Sequence, residues 1–351
     1  MWEEWNKRIR PLDQNAMERA GAVWRSICKP LGSLGAMEEM VIQLAGIFGT
    51  EDVTLKKRCA VVVCADNGVV AEGVTQSDAE VTSSVAWEIA EGRSNINIMA
   101  EAAGADTFVA DVGMVKDVSH PALLQRKIAR GTGNIAVGPA MTREQAVRGM
   151  ETGMELVRLM KEKGYQIIVT GEMGIGNTTT SSAMAAAMLG KEPEEVTGRG
   201  AGLTSEGLAR KRDVVRRAVQ VNQPNPADPL DVLAKLGGFD VAAMAGIFLG
   251  GGVERIPVVI DGLISSMAAL IACELHPECR GYLMASHMTE EPAGAAVMER
   301  LGLKPVLHAG MRLGEGTGGV CLLPFLDIAL AEYHRAHRFE ETDVEQYQEL
   351  I

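Results

Sequence analysis

The chain has 351 residues, 47% of them hydrophobic and 23% charged, which is enough to bury a large core in one large or two smaller domains. Its formal net charge of −12 argues against a surface that grips nucleic acid or an anionic membrane. Only 4% of the residues are aromatic, while 39 are glycine, so we expect an aliphatic core with many tight loops and no platform for stacked bases.

The cysteines predict a reducing compartment, since none of the six forms a C-x-x-C pair and two, Cys59 and Cys64, lie in an apolar run. The first residues, MWEEWNKR, lack the apolar centre of a signal peptide. The longest apolar stretch, 241–252, is too short to span a bilayer. We therefore expect a cytoplasmic protein with neither a membrane nor a nucleic-acid partner.

Short β-branched runs alternate with helix-length segments along most of the chain. The candidate strands are 59–65, 107–112, 166–171, 257–262, 281–286 and 304–310. The candidate helices between them include 142–163, 177–190, 205–221, 262–275 and 290–301. Each strand candidate is continuously apolar, which is typical of strands covered on both faces. The alternation predicts a mainly parallel, six-stranded, doubly wound α/β sheet of Rossmann-like form, with an eight-stranded barrel as the alternative.

The two ends of the chain differ from the middle. Residues 1–48 and 316–351 contain no strand candidate and combine helical periodicity with many charges. We expect them to form a small helical lobe beside a large α/β catalytic domain over 49–315. The segment 223–229 has three prolines in seven residues and is expected to be a surface loop.

Polar, glycine-rich loops follow four of the predicted strands, and in a parallel sheet such loops meet at the carboxyl edge, where ligands bind. The first, GEMGIGNTTTS at 171–181, has the features of a phosphate cradle, because glycines allow close backbone approach and a helix N-terminus follows. It is not a Walker loop, and it lacks the third glycine of a dinucleotide fingerprint. Its spacing alone fits a tight turn with a Thr N-cap equally well.

Three charged residues are candidates for chemistry at this edge. Glu172 and Glu315 each lie in a glycine-rich loop, where partial burial would raise a carboxyl pKa towards working pH. Lys211 lies in a helix with five basic residues, 205–218, the clearest basic cluster in an acidic chain. A solvated surface role remains the alternative for each. The histidines, among them His287 and the pair in HRAH at 334–337, complete no ligand set, so we expect no metal.

Eleven motifs in order carry a resemblance over nearly the whole chain. They are KPLGSLGAMEE (29–39), DNGVVAEGV (66–74), EVT (80–82), VADVGM (109–114), RGTGN (130–134), GPAMT (138–142), GEMGIGNTTTSSA (171–183), TGRGAGL (197–203), DGLISSMAAL (261–270), SHMTEEPA (286–293) and LHAGMRLGEGTG (307–318). With them the chain resembles the nicotinate-nucleotide:dimethylbenzimidazole phosphoribosyltransferases, which make the lower-ligand nucleotide of cobalamin.

The resemblance implies transfer of ribose 5-phosphate from nicotinate mononucleotide to a free base, with release of nicotinate and inversion from β to α. It implies that Glu315 is the general base, Glu172 the second active-site carboxylate and Lys211 the phosphate-side lysine. It also implies a homodimer that acts on small molecules without a cofactor. The substrate-binding residues that we expect are Gly174, Ile175, Gly176, Asn177, Thr178, Ser77, Asp78, Ser84, Asp261, Ser286 and Gly314.

The chain departs from the family pattern where the family builds the pocket for the incoming base. The departures are Gln76-Ser77-Asp78, Ser83-Ser84-Val85 and the Asn of Asp66-Asn67-Gly68. An aromatic residue is lost and Asp78 is gained, so we expect a smaller and more polar wall. We hypothesise that the pocket admits substituted benzimidazoles and a purine such as adenine.

Three other interpretations remain open at this point. A dinucleotide-dependent α/β enzyme would use the glycine-rich loops for a pyrophosphate, but no G-x-G-x-x-G follows the run at 59–65. A partner subunit without activity is expected to have lost the two glutamates or the lysine, which are all present. A hetero-oligomer with a related chain is the third alternative.

Overall fold

A six-stranded, all-parallel sheet forms the centre of the computed structural model, which describes residues 7–347. The strands are β1 (Arg58–Ala65), β2 (Asp106–Gly113), β3 (Leu123–Gln125), β4 (Ile167–Met173), β5 (Val258–Ile260) and β6 (Leu283–Ala285). Their order is β3-β2-β1-β4-β5-β6. The chain therefore winds outwards from β1 in both directions, and the strand order reverses between β1 and β4. The predicted doubly wound parallel sheet is confirmed.

Helices cover both faces of this sheet. They are α1 (Gln14–Ser26), α2 (Ala36–Phe48), α3 (Glu80–Ala90), α4 (Asn95–Ala102), α5 (Arg143–Glu162), α6 (Asn177–Leu189), α7 (Pro193–Val196), α8 (Ser205–Asn222), α9 (Pro229–Leu236), α10 (Phe239–Glu254), α11 (Leu263–Leu275), α12 (Gly294–Leu301), α13 (Thr317–Val320) and α14 (Leu322–Arg335). Short 3₁₀ helices span Gly68–Glu72, Pro277–Tyr282 and Phe339–Glu341.

The two faces of β1 show how the core is divided. Val61 and Val63 belong to the hydrophobic core that contains α5 and α10, whereas Ala60 and Val62 belong to the core that contains α1, α2 and α14. Alternate residues of a strand point to opposite faces, so a strand covered on both sides has to be apolar throughout. Because both faces of β1 are buried, its sequence is apolar without a break from Cys59 to Ala65.

The sixth predicted strand, 304–310, was wrong. In this segment only Leu307 makes an isolated parallel bridge, to His287, and much of the segment is exposed. Pro305 has no N–H to donate, and Gly310 has a left-handed φ of 64°, so the segment passes beyond β6 without extending the sheet. The sixth strand is instead β3, at the opposite edge. With only three residues it carries too little pattern to be recognised.

Helices from both chain ends pack on one face of the sheet. The rings of Trp24 in α1 and Tyr333 in α14 meet edge to face with their centroids 5.1 Å apart. The backbone N–H of Cys28 donates to the carbonyl of His337 at 2.9 Å. These contacts place the two termini of the described chain side by side. In residues 7–347 no helix is long and apolar enough to cross a membrane.

Candidate active site

A cleft lies at the carboxyl edge of the sheet, beyond the ends of β4, β5 and β6. The loops that follow the predicted strands 166–171, 257–262, 281–286 and 304–310 all contribute to its wall, together with 74–76, 199–203 and Lys211. The cleft opens to solvent at its mouth, and its cavity volume is about 160 Å³. Glu172, Glu315 and Lys211 therefore share one cavity, although 39 or more residues separate them along the chain.

Glu172 ends β4 in a buried position. The side-chain amide of Asn177 donates to its Oε2 atom. Burial, followed by the nearby charge of Asp240, raises the pKa of the Glu172 carboxyl to about 8, against the opposing hydrogen bond from Asn177. At neutral pH this carboxyl is therefore mainly protonated.

Asp240 was not recognised in the sequence. It lies at the start of α10, fully buried, and its Oδ1 atom accepts a hydrogen bond from the N–H of Val241 at 2.9 Å. Its Oδ2 atom accepts a second hydrogen bond, at 3.1 Å, from the amide of Asn177, which bridges it to Glu172. Burial raises the pKa of Asp240 to about 6. The only sequence feature that marks Asp240 is its position as a single acidic residue directly before the apolar run 241–252.

Glu315 lies in a strained loop. Its φ of 61° is left-handed, and Gly314 and Gly316 on either side have φ values of 90° and 91°. A non-glycine residue in this region is uncommon and is often found at functional sites. The Oε2 atom of Glu315 is buried and has no hydrogen-bond partner among the described residues. Burial raises the pKa of this carboxyl, whereas the N–H of Ile96 opposes the rise.

Hydrogen bonds to the carboxylate of Asp261 fix the loop that carries Glu315. The N–H of Gly316 donates to Asp261 Oδ2 at 3.1 Å, and the N–H of Gly319 donates to Oδ1 at 2.8 Å. A Cβ atom at Gly171 of β4 would collide with the backbone carbonyl of Glu315. Strand and loop therefore touch through backbone alone, and Asp261 has both carboxylate oxygens occupied by that loop.

Lys211 forms the opposite end of the cleft with the loop 174–178. Its side chain is fully buried, and its Nζ atom donates to Thr178 Oγ1 at 2.7 Å. Burial lowers the pKa of the ammonium group to about 8, and the charge of Glu291 opposes this effect. The loop leads into the N-terminus of α6 at Asn177, so backbone dipoles and a lysine converge on one place.

Glu291 is a second residue that sequence reasoning missed. It follows β6 and lines the cleft, with 9% of its surface exposed. Its Oε2 atom is buried without a hydrogen-bond partner among residues 7–347. In the sequence it is one of two adjacent glutamates in the motif SHMTEEPA (286–293), and no pattern distinguishes it from Glu290. The described part of the chain contains no group of three or more His, Cys, Asp or Glu residues arranged to hold a metal ion.

Four of the expected substrate-binding residues lie outside the lining of this cleft. Asp78 is exposed, and its Oδ1 atom accepts a hydrogen bond from the N–H of Glu80. Ser84 is exposed on α3, and Ser77 is half-buried. Ser286 is buried and donates to the carbonyl of Ile260 at 2.6 Å. Gly314, Asp261 and all five residues of 174–178 do line the cleft. The binding roles of the four stay predictions.

Comparison with known proteins places this cleft in context. The sequence profile of the family described as Phosphoribosyltransferase matches residues 9–344. The nicotinate-nucleotide–dimethylbenzimidazole phosphoribosyltransferase of Ruminiclostridium cellulolyticum is 46% identical, with 99% of each chain covered. That of Desulforudis audaxviator is 45% identical, with 97% of each covered. The crystal structure of CobT from Thermus thermophilus superposes with a TM-score of 0.90 at 40% identity, covering 95% of this chain and 100% of that one.

Proposed function

Since this chain belongs to the nicotinate-nucleotide–dimethylbenzimidazole phosphoribosyltransferase family, we propose that it transfers ribose 5-phosphate from nicotinate mononucleotide to a lower-ligand base of cobalamin. The products are the α-riboside 5′-phosphate and nicotinate. The family and the pentosyltransferase class predicted from the motifs are confirmed. The dinucleotide-dependent alternative is disfavoured by the same similarity.

The observation that carries the proposed mechanism is the unpartnered, buried Oε2 atom of Glu315. An incoming base needs an acceptor for its N–H proton when its other ring nitrogen attacks C1′ of the ribose. Burial raises the pKa of Glu315, which makes it a stronger base than an exposed glutamate. As the new C–N bond forms, the bond to the pyridinium nitrogen breaks and its electron pair stays with nicotinate. The proton passes to Glu315, so charge and atoms balance.

Glu172 is proposed to stabilise the positive charge of the reacting ribose. Burial raises its pKa to about 8. The pyridinium ring of the bound donor is cationic, so its arrival favours the ionised carboxylate and lowers that pKa. A negative charge next to the ribose then stabilises the oxocarbenium-like transition state. Asn177, which donates to Glu172, keeps the carboxylate in place.

Lys211 and the loop 174–178 are proposed to bind the 5′-phosphate. A phosphate dianion needs a cation and N–H donors, and this end of the cleft combines a buried ammonium group with a helix N-terminus. Held there, the phosphate anchors the ribose and turns the attack into an oriented step.

The identity of the base is a finer part of the proposal. Of the residues that depart from the family pattern, Gln76 lines the cleft, whereas Ser77, Asp78 and Ser84 lie outside its lining. The polar amide of Gln76 supports the proposal that adenine is accepted beside benzimidazoles. A competition assay between 5,6-dimethylbenzimidazole and adenine tests this point. A strong preference for dimethylbenzimidazole over every polar base would contradict it.

Assembly and location also belong to the proposal. We propose a homodimer working in the cytoplasm, on the strength of the family similarity and of a chain whose described helices cannot cross a membrane. We propose that the chain divides into two units, a helical unit formed by 1–48 and 316–351 and a catalytic unit formed by 49–315. Residues 1–6 and 348–351 of that helical unit lie outside the described residues.

The direct test incubates the purified protein with nicotinate mononucleotide and a panel of benzimidazoles, purines and phenols. The expected result is release of nicotinate together with a riboside phosphate, identified by mass. Absence of a riboside phosphate with every base would refute the transfer reaction.

An Asp240→Asn variant, which keeps the bridging position of Asn177, should form the same product at a reduced rate.

A further inference from the structure

Glu315 and Glu291 both line the cleft, and the Oε2 atom of each is enclosed by protein without a hydrogen-bond partner among residues 7–347. A buried acceptor without a donor costs free energy, so such an atom inside a cleft indicates a group that the ligand supplies. The proposed reaction already assigns a donor to Glu315, the N–H of the incoming base. Glu291 has no such assignment.

The surroundings of Glu291 define where it acts. It lies at the Lys211 end of the cleft, close enough to influence the charge of that lysine, yet Lys211 donates to Thr178. A Cβ atom at Gly198 would collide with Glu291 Oε2, so this oxygen packs directly against the backbone of the glycine. The backbone N–H of Glu291 points to Thr289 Oγ1 at 3.4 Å, which holds the start of the side chain.

The chemistry of the carboxylate restricts its ligand. An ionised carboxylate accepts hydrogen bonds and donates none, so it repels the phosphate that Lys211 is proposed to bind. The donor groups of a nucleotide next to its phosphate are the hydroxyls of the ribose. Acidic residues bind ribose hydroxyls in other nucleotide sites for the same reason.

We propose that Glu291 binds the nucleotide donor by accepting a hydrogen bond from its 2′- or 3′-hydroxyl group. This inference rests on the proposed function, since it takes the ribose of the donor as the ligand. Glu291 then works together with Lys211, the lysine on the phosphate and the glutamate on the sugar. Between them they fix the rotation of the ribose, so that C1′ faces Glu315.

Binding of sugar phosphates tests the contact without any turnover. Ribose 5-phosphate, 2-deoxyribose 5-phosphate and 3-deoxyribose 5-phosphate are titrated by calorimetry into the wild-type protein and into Glu291→Gln and Glu291→Met. The wild type is expected to bind one of the two deoxy sugars about 10- to 100-fold more weakly than ribose 5-phosphate. The variants are expected to bind ribose 5-phosphate more weakly by a similar factor, with no further loss for that deoxy sugar.

A matched control is provided by Glu290→Gln, which removes the same charge from the neighbouring exposed residue. It is expected to bind all three sugar phosphates like the wild type. Equal weakening of all three by Glu291→Gln would overturn the inference, because it would mean that Glu291 only sustains the charge of Lys211. If the variants do not fold, the wild type still decides, since equal binding of the three sugars contradicts a hydroxyl contact.

Turnover separates this inference from the function on which it rests. Nicotinate mononucleotide and its 2′- and 3′-deoxy analogues are compared as donors for the wild type and the Glu291 variants. Loss of the contacted hydroxyl is expected to lower kcat/KM in the wild type but not to lower it further in the variants. Wild-type protein that binds ribose 5-phosphate with the expected selectivity, yet forms no riboside phosphate, would refute the transferase and leave the hydroxyl contact standing.

Discussion

The two sides of the cleft differ in how their side chains are held. On one side the loop 314–319 is fixed by Asp261 from below and by backbone contact with Gly171. On the other side the segment 76–84 reaches the cleft through Gln76, and Gln76, Asp78 and Ser84 are exposed. Most of its hydrogen bonds are local, such as that from Ser84 Oγ to the carbonyl of Glu80, although buried Thr82 accepts one from the N–H of Ile175. The groups proposed for the chemistry therefore lie on a rigid sheet edge, and those proposed to select the base lie on an adaptable surface segment.

This difference has a physical reason. Proton transfer and charge stabilisation depend on distances that have to be held within a fraction of an ångström, so they need buried, fully supported groups. Selection among related bases requires only differences in contact and polarity, which are worth about 1–3 kcal/mol for a small group. A segment outside the core can change its sequence without disturbing the sheet.

Replacement of the proposed general base, Glu315, should have the largest effect on turnover. Glu315→Gln keeps the shape of the side chain and removes its basicity, so kcat is expected to fall about 100- to 10,000-fold. Binding of nicotinate mononucleotide, measured by calorimetry, should change little because Glu315 is proposed to act chiefly in the transition state. Unchanged turnover would remove Glu315 from the mechanism. Glu290→Gln serves as the control for loss of one acidic charge.

The next largest effect is expected at the phosphate end. Burial lowers the pKa of Lys211 to about 8, so its positive charge is present below that pH and is lost above it. The KM for nicotinate mononucleotide should therefore rise as the pH increases from about 8 to about 9.5. Lys211→Met should raise KM about 10- to 100-fold at about pH 7.

The pH profile of the variant provides the check on that result. In Lys211→Met the rise of KM in the alkaline range should be absent, because the titrating group has gone. A rise of the same size in the variant would assign the titration to another group. Arg210→Met, which changes a residue of the same helix outside the cleft lining, should keep the wild-type profile.

A smaller effect is expected when the rigid wall is displaced without a change in charge. Gly171→Ala places a Cβ atom against the carbonyl of Glu315, so the strand or the loop has to shift. We expect kcat to fall about 10-fold, with a loss of stability of about 1–3 kcal/mol in urea unfolding. Gly138→Ala is the matched control, since no heavy atom lies within 4 Å of its added Cβ. Full activity of Gly171→Ala would show that the loop adapts.

The smallest effects are expected on the adaptable side. Gln76 lines the cleft and its amide donates to the carbonyl of Gly202, whereas Asp78 is exposed outside the lining. Gln76→Ala should alter the ratio of kcat/KM for adenine and dimethylbenzimidazole by about 3- to 10-fold. Asp78→Ala should alter it less if the segment keeps this placement. A larger effect of Asp78 would indicate that substrate binding draws 76–84 inwards.

Sequence patterns were sufficient for most of the fold. Five of the six strands were predicted because strands buried on both faces carry unbroken apolar runs, such as 59–65 in β1 and 167–169 in β4. The sixth was misplaced because 304–310 has the composition of a strand at a position with no partner strand beyond β6. The edge strand β3 has three residues, of which only Leu123 is buried, so it lacks the long apolar run by which the other strands were predicted.

For the active site, the sequence by itself determined which residue types stand after which strands. Since parallel strands end at one edge, the strand pattern predicted that Glu172 and Glu315 share one cleft. The family resemblance implied that Lys211, on a helix, joins them. Only the tertiary structure decided which carboxylate oxygens accept hydrogen bonds from the protein and which have no donor among residues 7–347. Asp261 is bonded to the loop of Glu315, Asp240 shares the amide of Asn177, and Glu291 faces the cleft unpartnered among the described residues. Hydrogen-bond partners depend on distances between segments that lie far apart along the chain, and no local pattern records them.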